Sequence, residues 1–434
     1  MRKMCAAAVL VACCALNLAA ADAFPLKDGD IWVMAGDSIT AQHLHSNYFE
    51  AFCYARYPAL KFAFRNSGVG GDTIPKVLAR FDYDVAAWKP TVVSVELGMN
   101  DQGGYSVQQF IENMGKLSES IKAAGARPVF FTSSPVNNGD TNKKIGGNAK
   151  LHQYAEALKP FAEAQKAPFA DQFHMVIDVW GDNKPREKLA NLRTLITAEL
   201  HDDKLPGADH LKAFLVELEK DPRPLVTMQG DPVHPGPPGQ LVMAAALLKQ
   251  LNADGFVSSA SLDATGKVSE AKGCKIDDVK AENGGLAFSR LDETIAFPIP
   301  DEARDVIPLF PTILELSQYM LKVGGLTAEK YTLKINGTEV GTVTGKELAD
   351  GINLTQFAKG PIAAQGKAVL AAIGAKEGNV GGWRGASKAA LAAGAPEAAK
   401  TNLLANTKKV EEADVKIREA AKPVKLLFEI LPAK

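Results

Sequence analysis

The spacing of hydrophobic positions divides the chain into two regions. Between about residues 30 and 252, short apolar runs alternate with longer segments in which apolar residues recur every three or four positions. This alternation is typical of an α/β domain built around a parallel sheet. The predicted strands cover residues 31–35, 62–66, 92–97 and 128–132, and the predicted helices cover residues 47–56, 106–124, 148–165 and 239–251.

A charged, helix-prone insertion at about residues 181–221 interrupts this pattern before the last of these helices. Prolines at positions 185, 206, 222 and 224 punctuate it. The insertion fits two interpretations: a wall or lid over a functional site, or a solvated pair of helices. The solvated pair requires fewer assumptions.

Beyond residue 255, apolar residues alternate over short runs, such as 286–291 and 294–299, that predict antiparallel strands. Asn336-Gly337 predicts a β-hairpin between residues 331–335 and 339–344, because Asn-Gly readily adopts the positive φ angles of a type I′ turn. The Ala- and Lys-rich chain after residue 352 predicts helices, and the apolar run 425–431 predicts a returning strand. We therefore expect an α/β domain at 24–255 and a β-containing and helical region at 256–434.

The first residues have the pattern of an export signal. Arg2 and Lys3 precede an apolar run, and small residues around Ala23 offer a cleavage site. This predicts a signal peptide at residues 1–23 and a secreted or periplasmic protein. A lipoprotein anchor at Cys13 is a less favoured alternative, because the apolar run before it is short. No later run approaches the roughly twenty apolar residues of a membrane span.

Composition narrows the classes of partner. The 434 residues carry 49 Lys and Arg against 50 Asp and Glu, and no basic stripe is present to follow a phosphate backbone. A nucleic acid is therefore not an expected partner. Only Cys53 and Cys274 would remain after signal removal, and they lie in different predicted domains. A disulfide between them is an alternative that is not favoured, because spacing alone cannot place the two Cα atoms within bridging distance.

Two short motifs carry candidate chemistry. Ser38 follows the first predicted strand through Gly36-Asp37, which places it at the carboxyl edge of the sheet, where α/β sites gather. Asp231 precedes His234 by three residues, so its carboxylate is able to hold one imidazole nitrogen and leave the other for a nucleophile. The alternatives are a helix N-cap at Ser38 and an ordinary surface turn at 231–235.

Polar turns after the second and third strands add candidate anion donors. Gly71 lies in a Gly-rich turn that permits close backbone approach to a ligand, and Asn100 offers a side-chain amide. Together with the Ser38 amide, these groups are suited to stabilise an oxyanion. The Gly-rich turn lacks both the dinucleotide fingerprint and the P-loop ending, so a nucleotide site is not expected.

Taken in order, Gly36-Asp37-Ser38, Gly71, Gly98-x-Asn100-Asp101 and Asp231-x-x-His234 resemble the four sequence blocks of the SGNH/GDSL hydrolase family. The resemblance covers about residues 30–251 and departs slightly at Ile39, where Leu is usual. It implies a flavodoxin-like three-layer α/β/α fold and ester hydrolysis through an acyl-enzyme, with neither metal nor other cofactor. It implies that Ser38 is the nucleophile, His234 the general base and acid, and Asp231 its orienting partner. The implied oxyanion donors are Ser38, Gly71 and Asn100.

These features predict a carboxylic ester hydrolase of class EC 3.1.1. We expect short acyl esters of carbohydrates, especially acetyl esters, as substrates, because export and a second β-containing region suit polymers. The alternatives are a lipase-like or thioesterase-like acylhydrolase and a non-catalytic carbohydrate-binding protein on the same scaffold.

Several other residues are weaker candidates. His43 and His45 are placed to line a pocket, but two histidines alone do not make a metal site. Arg65, Tyr105 and Trp180 are potential substrate contacts, but nothing in the sequence separates them from structural residues. The sequence also assigns no role to three further histidines, His174, His201 and His210.

Overall fold

A computed structural model describes residues 23–136, 145–201, 205–220, 226–228 and 230–433. The predicted export signal therefore lies outside the described residues, apart from its last position. The strands are β1 Asp30–Gly36, β2 Phe62–Gly68, β3 Val92–Glu96, β4 Arg127–Phe131, β5 Phe169–Ala170, β6 Phe256–Asp263, β7 Val268–Lys272, β8 Cys274–Glu282, β9 Gly285–Asp292, β10 Gln318–Gly324, β11 Lys330–Ile335, β12 Thr338–Thr344, β13 Ile352–Asn353 and β14 Leu426–Pro432. The helices are α1 Ser38–Ala41, α2 His45–Arg56, α3 Ile74–Asp84, α4 Val107–Ala123, α5 Ala149–Ala164, α6 Gln172–Glu199, α7 Ala208–Glu219, α8 Pro237–Gln250, α9 Thr312–Glu315, α10 Gly345–Asp350, α11 Pro361–Ala390 and α12 Glu397–Ala420.

A five-stranded parallel sheet with the order β2-β1-β3-β4-β5 forms the centre of the amino-terminal region. Successive side chains of β1 point to opposite faces of this sheet. Trp32 and Met34 pack into one core, and Val33 and Ala35 pack into the other. Because helices cover both faces, the region has the three-layer α/β/α arrangement that the sequence predicts.

The register of this sheet brings three chain segments to one edge. Gly36 at the end of β1 is level with Gly68 on β2 and Glu96 on β3. The turns after β1, β2 and β3 therefore meet at the carboxyl edge of the sheet, where ligands bind in open α/β folds.

Two smaller sheets enclose a third core in the carboxy-terminal region. Their strand orders are β13-β10-β6-β7 and β12-β11-β14-β9-β8. The hairpin between β11 and β12 is confirmed, since Asn336 and Gly337 have φ angles of 49° and 75°. The returning strand is also confirmed, because β14 pairs with β9 and β11.

The strand predicted at residues 294–299 is wrong. This segment is buried but joins no sheet, and its backbone amides bond elsewhere. The Ile295 amide donates to the Ala55 carbonyl (3.2 Å), and the Phe297 amide donates to Ser317 Oγ (2.9 Å). The alternation of apolar residues in this segment comes from packing between the two regions, and it resembles the pattern of a strand.

The last two helices pack on the open edge of the parallel sheet beside β2. They contribute to both cores of that sheet, through Ile373 and Ile417 on one face and Val380 and Val410 on the other. Trp383 stacks on Trp88, with ring centroids 3.4 Å apart. The α11–α12 pair therefore completes the α/β layer instead of standing apart from it.

The insertion is helical but begins earlier than its sequence suggests. It comprises α6, which starts at Gln172 and continues through position 185, and α7. No helix in the described parts of the chain has the length and apolarity needed to cross a membrane. Cys53 is buried in α2 and Cys274 begins β8, and both are free thiols.

Candidate active site

Ser38 is the first residue of α1, the single-turn helix that follows β1. Asp37 caps this helix, its carboxylate accepting a hydrogen bond from the Ile39 amide at 2.9 Å. A Cβ at Gly68 would lie 2.5 Å from the Ala41 nitrogen, so glycine at the end of β2 allows α1 to pack closely. Strand and turn thus hold a half-buried Ser38 at the carboxyl edge.

His234 lies beside Ser38 although 196 positions separate the two in the chain. Its Nε2 is 2.8 Å from Ser38 Oγ, and its Nδ1 is 2.8 Å from Asp231 Oδ2. If Nδ1 carries the proton that binds the carboxylate, Nε2 has a lone pair facing the hydroxyl. This is the arrangement of a nucleophile, a base and an orienting acid.

Asp231 is exposed, with 54% of its side chain accessible. Three donors nonetheless converge on its carboxylate: the His234 amide (2.8 Å), the Val233 amide (2.7 Å) and His234 Nδ1. The hydrogen bonds from His234, followed by that from Val233, lower the pKa of Asp231 to about 2. The carboxylate is therefore ionised at neutral pH, as an orienting group requires.

The expected oxyanion donors lie in the turns after β1, β2 and β3. Gly71 has a φ of 74°, a left-handed conformation that favours glycine. Asn100 Nδ2 donates to the Asp72 carbonyl at 2.9 Å, which fixes the amide and leaves its second N–H for another acceptor. This places both groups on the same sheet edge as the Ser38 amide.

A buried polar network lies beneath this edge. Glu96 Oε2 is 2.8 Å from His45 Nε2, and His45 Nδ1 is 2.8 Å from Gln240 Oε1. Gln240 also donates to the Pro235 carbonyl at 3.2 Å, so the network reaches the residue after His234. Burial lowers the pKa of His45, but the Glu96 charge and hydrogen bonds to Glu96 and Gln240 outweigh it and raise the pKa overall.

Sequence reasoning missed Glu96 and Gln240. A carboxylate within the apolar run 92–97 was the available signal for Glu96, because a charge is rarely buried without a partner. Nothing in the sequence of α8 distinguishes Gln240. The network joins three distant segments, β3, α2 and α8.

The structure separates His43 from His45. His45 is buried, whereas His43 is partly exposed and lies 3.3 Å from Glu377 of α11. The burial of His43 lowers its pKa. The two rings therefore have different carboxylate partners, Glu377 for His43 and Glu96 for His45.

The remaining candidates are dispersed. Arg65 is buried in a bidentate ion pair with Asp414 of α12, at 2.7 and 3.0 Å, so its role is structural. Trp180 lies on α6 and is buried in the core, which argues for a structural role. Tyr105 is half-buried, and its carbonyl accepts a hydrogen bond from the Tyr154 hydroxyl. The three other histidines fall into two groups: His201 and His210 are exposed, and His174 belongs to a cluster with His152 and Glu156.

Comparisons with known proteins were made against families, curated proteins and solved structures. Residues 34–242 match the GDSL-like lipase/acylhydrolase family. An acetylxylan esterase of Geobacillus stearothermophilus is 28% identical over 133 residues, covering 29% of this chain and 60% of that protein. Thioesterase 1/protease 1/lysophospholipase L1 of Escherichia coli (strain K12) is 30% identical over 125 residues, covering 27% of this chain and 57% of that protein.

The chain thus spans about three fifths of the length of these curated relatives. Among solved structures, a gut microbial diltiazem-metabolizing enzyme superposes with a TM-score of 0.73 at 22% identity, covering 95% of this chain and 99% of that one. This likeness extends over the carboxy-terminal region as well as the parallel sheet. The whole arrangement of sheets therefore occurs in a second protein.

Proposed function

Residues 34–242 belong to the GDSL-like lipase/acylhydrolase family, and from this premise we propose that the protein hydrolyses carboxylic esters through a covalent acyl-enzyme. The observation that carries the proposal is the continuous contact from Asp231 through His234 to Ser38, with both links at 2.8 Å. Such a chain activates a hydroxyl that is a weak nucleophile on its own.

In the proposed reaction, Ser38 Oγ attacks the ester carbonyl carbon while His234 Nε2 takes the hydroxyl proton. The negative charge that develops on the carbonyl oxygen is stabilised by the Ser38 and Gly71 amides and by the Asn100 side chain. His234 then returns the proton to the departing alcohol, which leaves Ser38 acylated.

The second half of the reaction repeats these steps with water. His234 removes a proton from a water molecule, which attacks the acyl carbon, and Ser38 Oγ leaves with that proton. The free carboxylic acid is released. No step requires an electron transfer or a second substrate other than water.

We propose acetyl esters of carbohydrates as the substrate class. The half-buried nucleophile and the exposed Asp231 form an open site that a bulky polymer is able to reach. The acetylxylan esterase among the relatives supports the same class.

A second candidate substrate class is the long-chain acyl ester. Large apolar side chains are exposed on α6 and α7, the insertion that precedes the catalytic segment in the chain. They are Leu192, Leu195, Phe214 and Val216, with Leu195 64% exposed. Such a surface suits an acyl chain, and the relative from Escherichia coli is named a thioesterase and lysophospholipase.

The test of the reaction is Ser38→Ala assayed on p-nitrophenyl acetate. We expect kcat to fall about 10⁴- to 10⁶-fold, as for loss of a triad nucleophile, and labelling by a fluorophosphonate to disappear. Ser120→Ala is the matched control, because Ser120 is half-buried on α4, away from Ser38, and its hydroxyl donates to the Lys116 carbonyl of its own helix. Undiminished turnover by Ser38→Ala would contradict the proposal.

The substrate class is tested by the acyl length that the enzyme prefers. We expect acetate release from acetylated xylooligosaccharides and a kcat/KM for p-nitrophenyl esters that falls from acetyl to decanoyl. A rise towards decanoyl, or faster hydrolysis of a lysophospholipid, would favour the second candidate class instead. Ser38→Ala serves as the blank in both assays.

We also propose that the protein is exported, on the basis of the charged and apolar pattern before residue 24. Phe24 packs on Tyr57, with ring centroids 5.3 Å apart, so the residue that follows the expected cleavage site is part of the folded core. Amino-terminal sequencing of exported protein should give Phe24 as the first residue. An intact amino terminus would contradict cleavage there.

A further inference from the structure

A cluster of two histidines and one glutamate lies apart from the Ser38 constellation. His152 and Glu156 are one turn apart on α5, and His174 is in the first turn of α6. One ligand atom from each lies within 4.8 Å of the others. From this geometry we propose that His152, Glu156 and His174 bind a Zn²⁺ ion that fastens α5 to the start of α6.

The separations suit a tetrahedral zinc ion. Ligand atoms about 2.1 Å from zinc at tetrahedral angles are roughly 3.4 Å from one another. His174 Nε2 is 3.5 Å from Glu156 Oε1, and His152 Nε2 is 4.0 Å from the same oxygen. The ligand atoms, which lie within 4.8 Å of one another, must close by up to about 1 Å to reach this spacing, and Glu156, with 64% of its side chain exposed, is free to move.

His174 is held ready for a metal by a carboxylate behind it. Its Nδ1 is 2.5 Å from Asp171 Oδ2, and a proton shared there leaves the Nε2 lone pair facing the cluster. Metal-bound histidines commonly have such a carboxylate partner, which fixes the ring and raises its basicity. Asp171 is itself fixed, because its backbone amide and carbonyl both bind the Gln250 side chain at 2.7 Å.

The donor set selects the kind of metal. Two imidazole nitrogens and one carboxylate suit zinc and its neighbours in the first transition row, whereas Ca²⁺ and Mg²⁺ prefer oxygen ligands throughout. His152 and His174 are each about one third exposed, at 34% and 32%. A water molecule is therefore able to fill the fourth position.

The location gives the ion a structural role. Gln172, next to Asp171, donates to Glu96 Oε1 at 2.8 Å, and Glu96 belongs to the buried network beneath Ser38. Further along α6, Asn183 donates to the Val226 carbonyl at 2.8 Å. An ion at the first turn of α6 thus stabilises the helix that supports the approach to the Asp231–His234 segment.

The test is calorimetric titration of ZnCl₂ into untagged, EDTA-treated protein. We expect one site per chain, a rise in the thermal unfolding midpoint with Zn²⁺, and no comparable binding of Mg²⁺. Co²⁺ in the same site should give the strong visible bands of tetrahedral coordination. None of these readouts depends on ester hydrolysis, so a negative result for zinc is distinguishable from a failure of the proposed activity.

Variants assign the ligands. His152→Ala and His174→Ala should each weaken zinc binding at least tenfold, and Asp171→Asn should weaken it about 10- to 100-fold, as for an outer-shell partner. His210→Ala is the control, because His210 is exposed on α7 outside the cluster. An unchanged far-ultraviolet circular dichroism spectrum reports that each variant has folded.

Two results would overturn the inference. The first is the absence of zinc binding at millimolar concentration, which would reduce the cluster to imidazole–carboxylate ion pairs. The second is zinc binding that His152→Ala and His174→Ala leave unchanged.

Discussion

The pKa values of two aspartates near the reacting groups are shifted in opposite directions. Burial, reinforced by the charge of Glu96, raises the pKa of Asp37 to about 8. Hydrogen bonds lower the pKa of Asp231 to about 2. Asp37, beside the nucleophile, is thus neutral at pH 7 because its carboxyl group is desolvated. Asp231, beside the base, is ionised because three donors bind its carboxylate.

The Asp37 shift predicts a dependence of stability on pH. Between about pH 4 and pH 8, the folded protein retains a proton on Asp37 that the unfolded chain has lost, so the stabilisation from this group declines as the pH rises. Asp37→Asn preserves the cap with a neutral side chain. We expect the free energy of unfolding of Asp37→Asn, relative to that of the wild type, to increase from pH 4 to pH 8. Urea denaturation at each pH measures this difference.

Asp263→Asn, in the carboxy-terminal region, is the matched control for this measurement. Hydrogen bonds from the Thr265 hydroxyl and the Lys267 amide lower the pKa of Asp263, so this group contributes stability that is present above about pH 4 and is lost as the pH falls further. Its difference from the wild type should therefore stay constant between pH 5 and pH 8. A constant difference for Asp37→Asn as well would contradict the assignment.

At the scale of elements, the position of α11 matters for the turn after β2. Arg384 Nε donates to Asp84 Oδ1 at 2.8 Å, and its Nη2 donates to the carbonyls of Gly68 (3.1 Å) and Asn66 (3.4 Å). The turn that carries Gly71 begins directly after Gly68. Arg384 therefore acts as a positioning residue for an expected oxyanion donor.

Replacement of Arg384 tests this role. In Arg384→Met the end of β2 loses its side-chain donors, and we expect kcat on p-nitrophenyl acetate to fall about 10- to 100-fold, as for small displacements of catalytic groups. KM should change little, because Arg384 does not contact the acyl group in the proposed reaction. Lys388→Met, on the same helix and stacked on Tyr83, is the control. An unchanged kcat in Arg384→Met would contradict the role.

Across the whole molecule, buried charges join the carboxy-terminal helices to the α/β layer. Lys376 of α11 is fully buried, and its ammonium binds both carboxylate oxygens of Glu50 on α2, at 2.5 and 2.6 Å. It also donates to the Phe64 carbonyl on β2 at 3.1 Å. From these contacts we propose that residues 256–434 are a structural part of the hydrolase.

The Lys376–Glu50 pair gives a test of this proposal. Lys376→Met leaves a buried carboxylate without its partner, and we expect it to cost about 3–5 kcal/mol in free energy of unfolding. Glu50→Leu combined with Lys376→Met should recover only part of that loss, because the buried Glu377 carboxylate, 3.2 Å from the Lys376 ammonium, still loses this partner. Lys408→Met, in an exposed pair with Glu412, should cost less than about 1 kcal/mol. A cost of less than about 1 kcal/mol for Lys376→Met as well would contradict the structural role of residues 256–434.

Local sequence was sufficient for much of the fold and for the proposed catalytic residues. The strands β1 to β4 were predicted because buried parallel strands are continuous apolar runs, and the hairpin at Asn336-Gly337 was predicted because its φ angles depend on two adjacent residues. Ser38, Gly71 and Asn100 were proposed because polar turns after parallel strands meet at one sheet edge. Local pattern misled at residues 294–299, where packing between regions produces the alternation of a strand.

Only the tertiary structure decided which distant residues meet. It brings His234 to Ser38, Gln240 to His45, Arg65 to Asp414, and His174 to His152 and Glu156. It also places α11 and α12 on the edge of β2, although more than 290 positions separate α11 from that strand. Sequence periodicity reports which face of an element is apolar, and the partner of that face is chosen by packing over the whole chain. The residue types and turns were therefore determined locally, and the buried network, the role of α11 and the zinc ligands were determined by the fold.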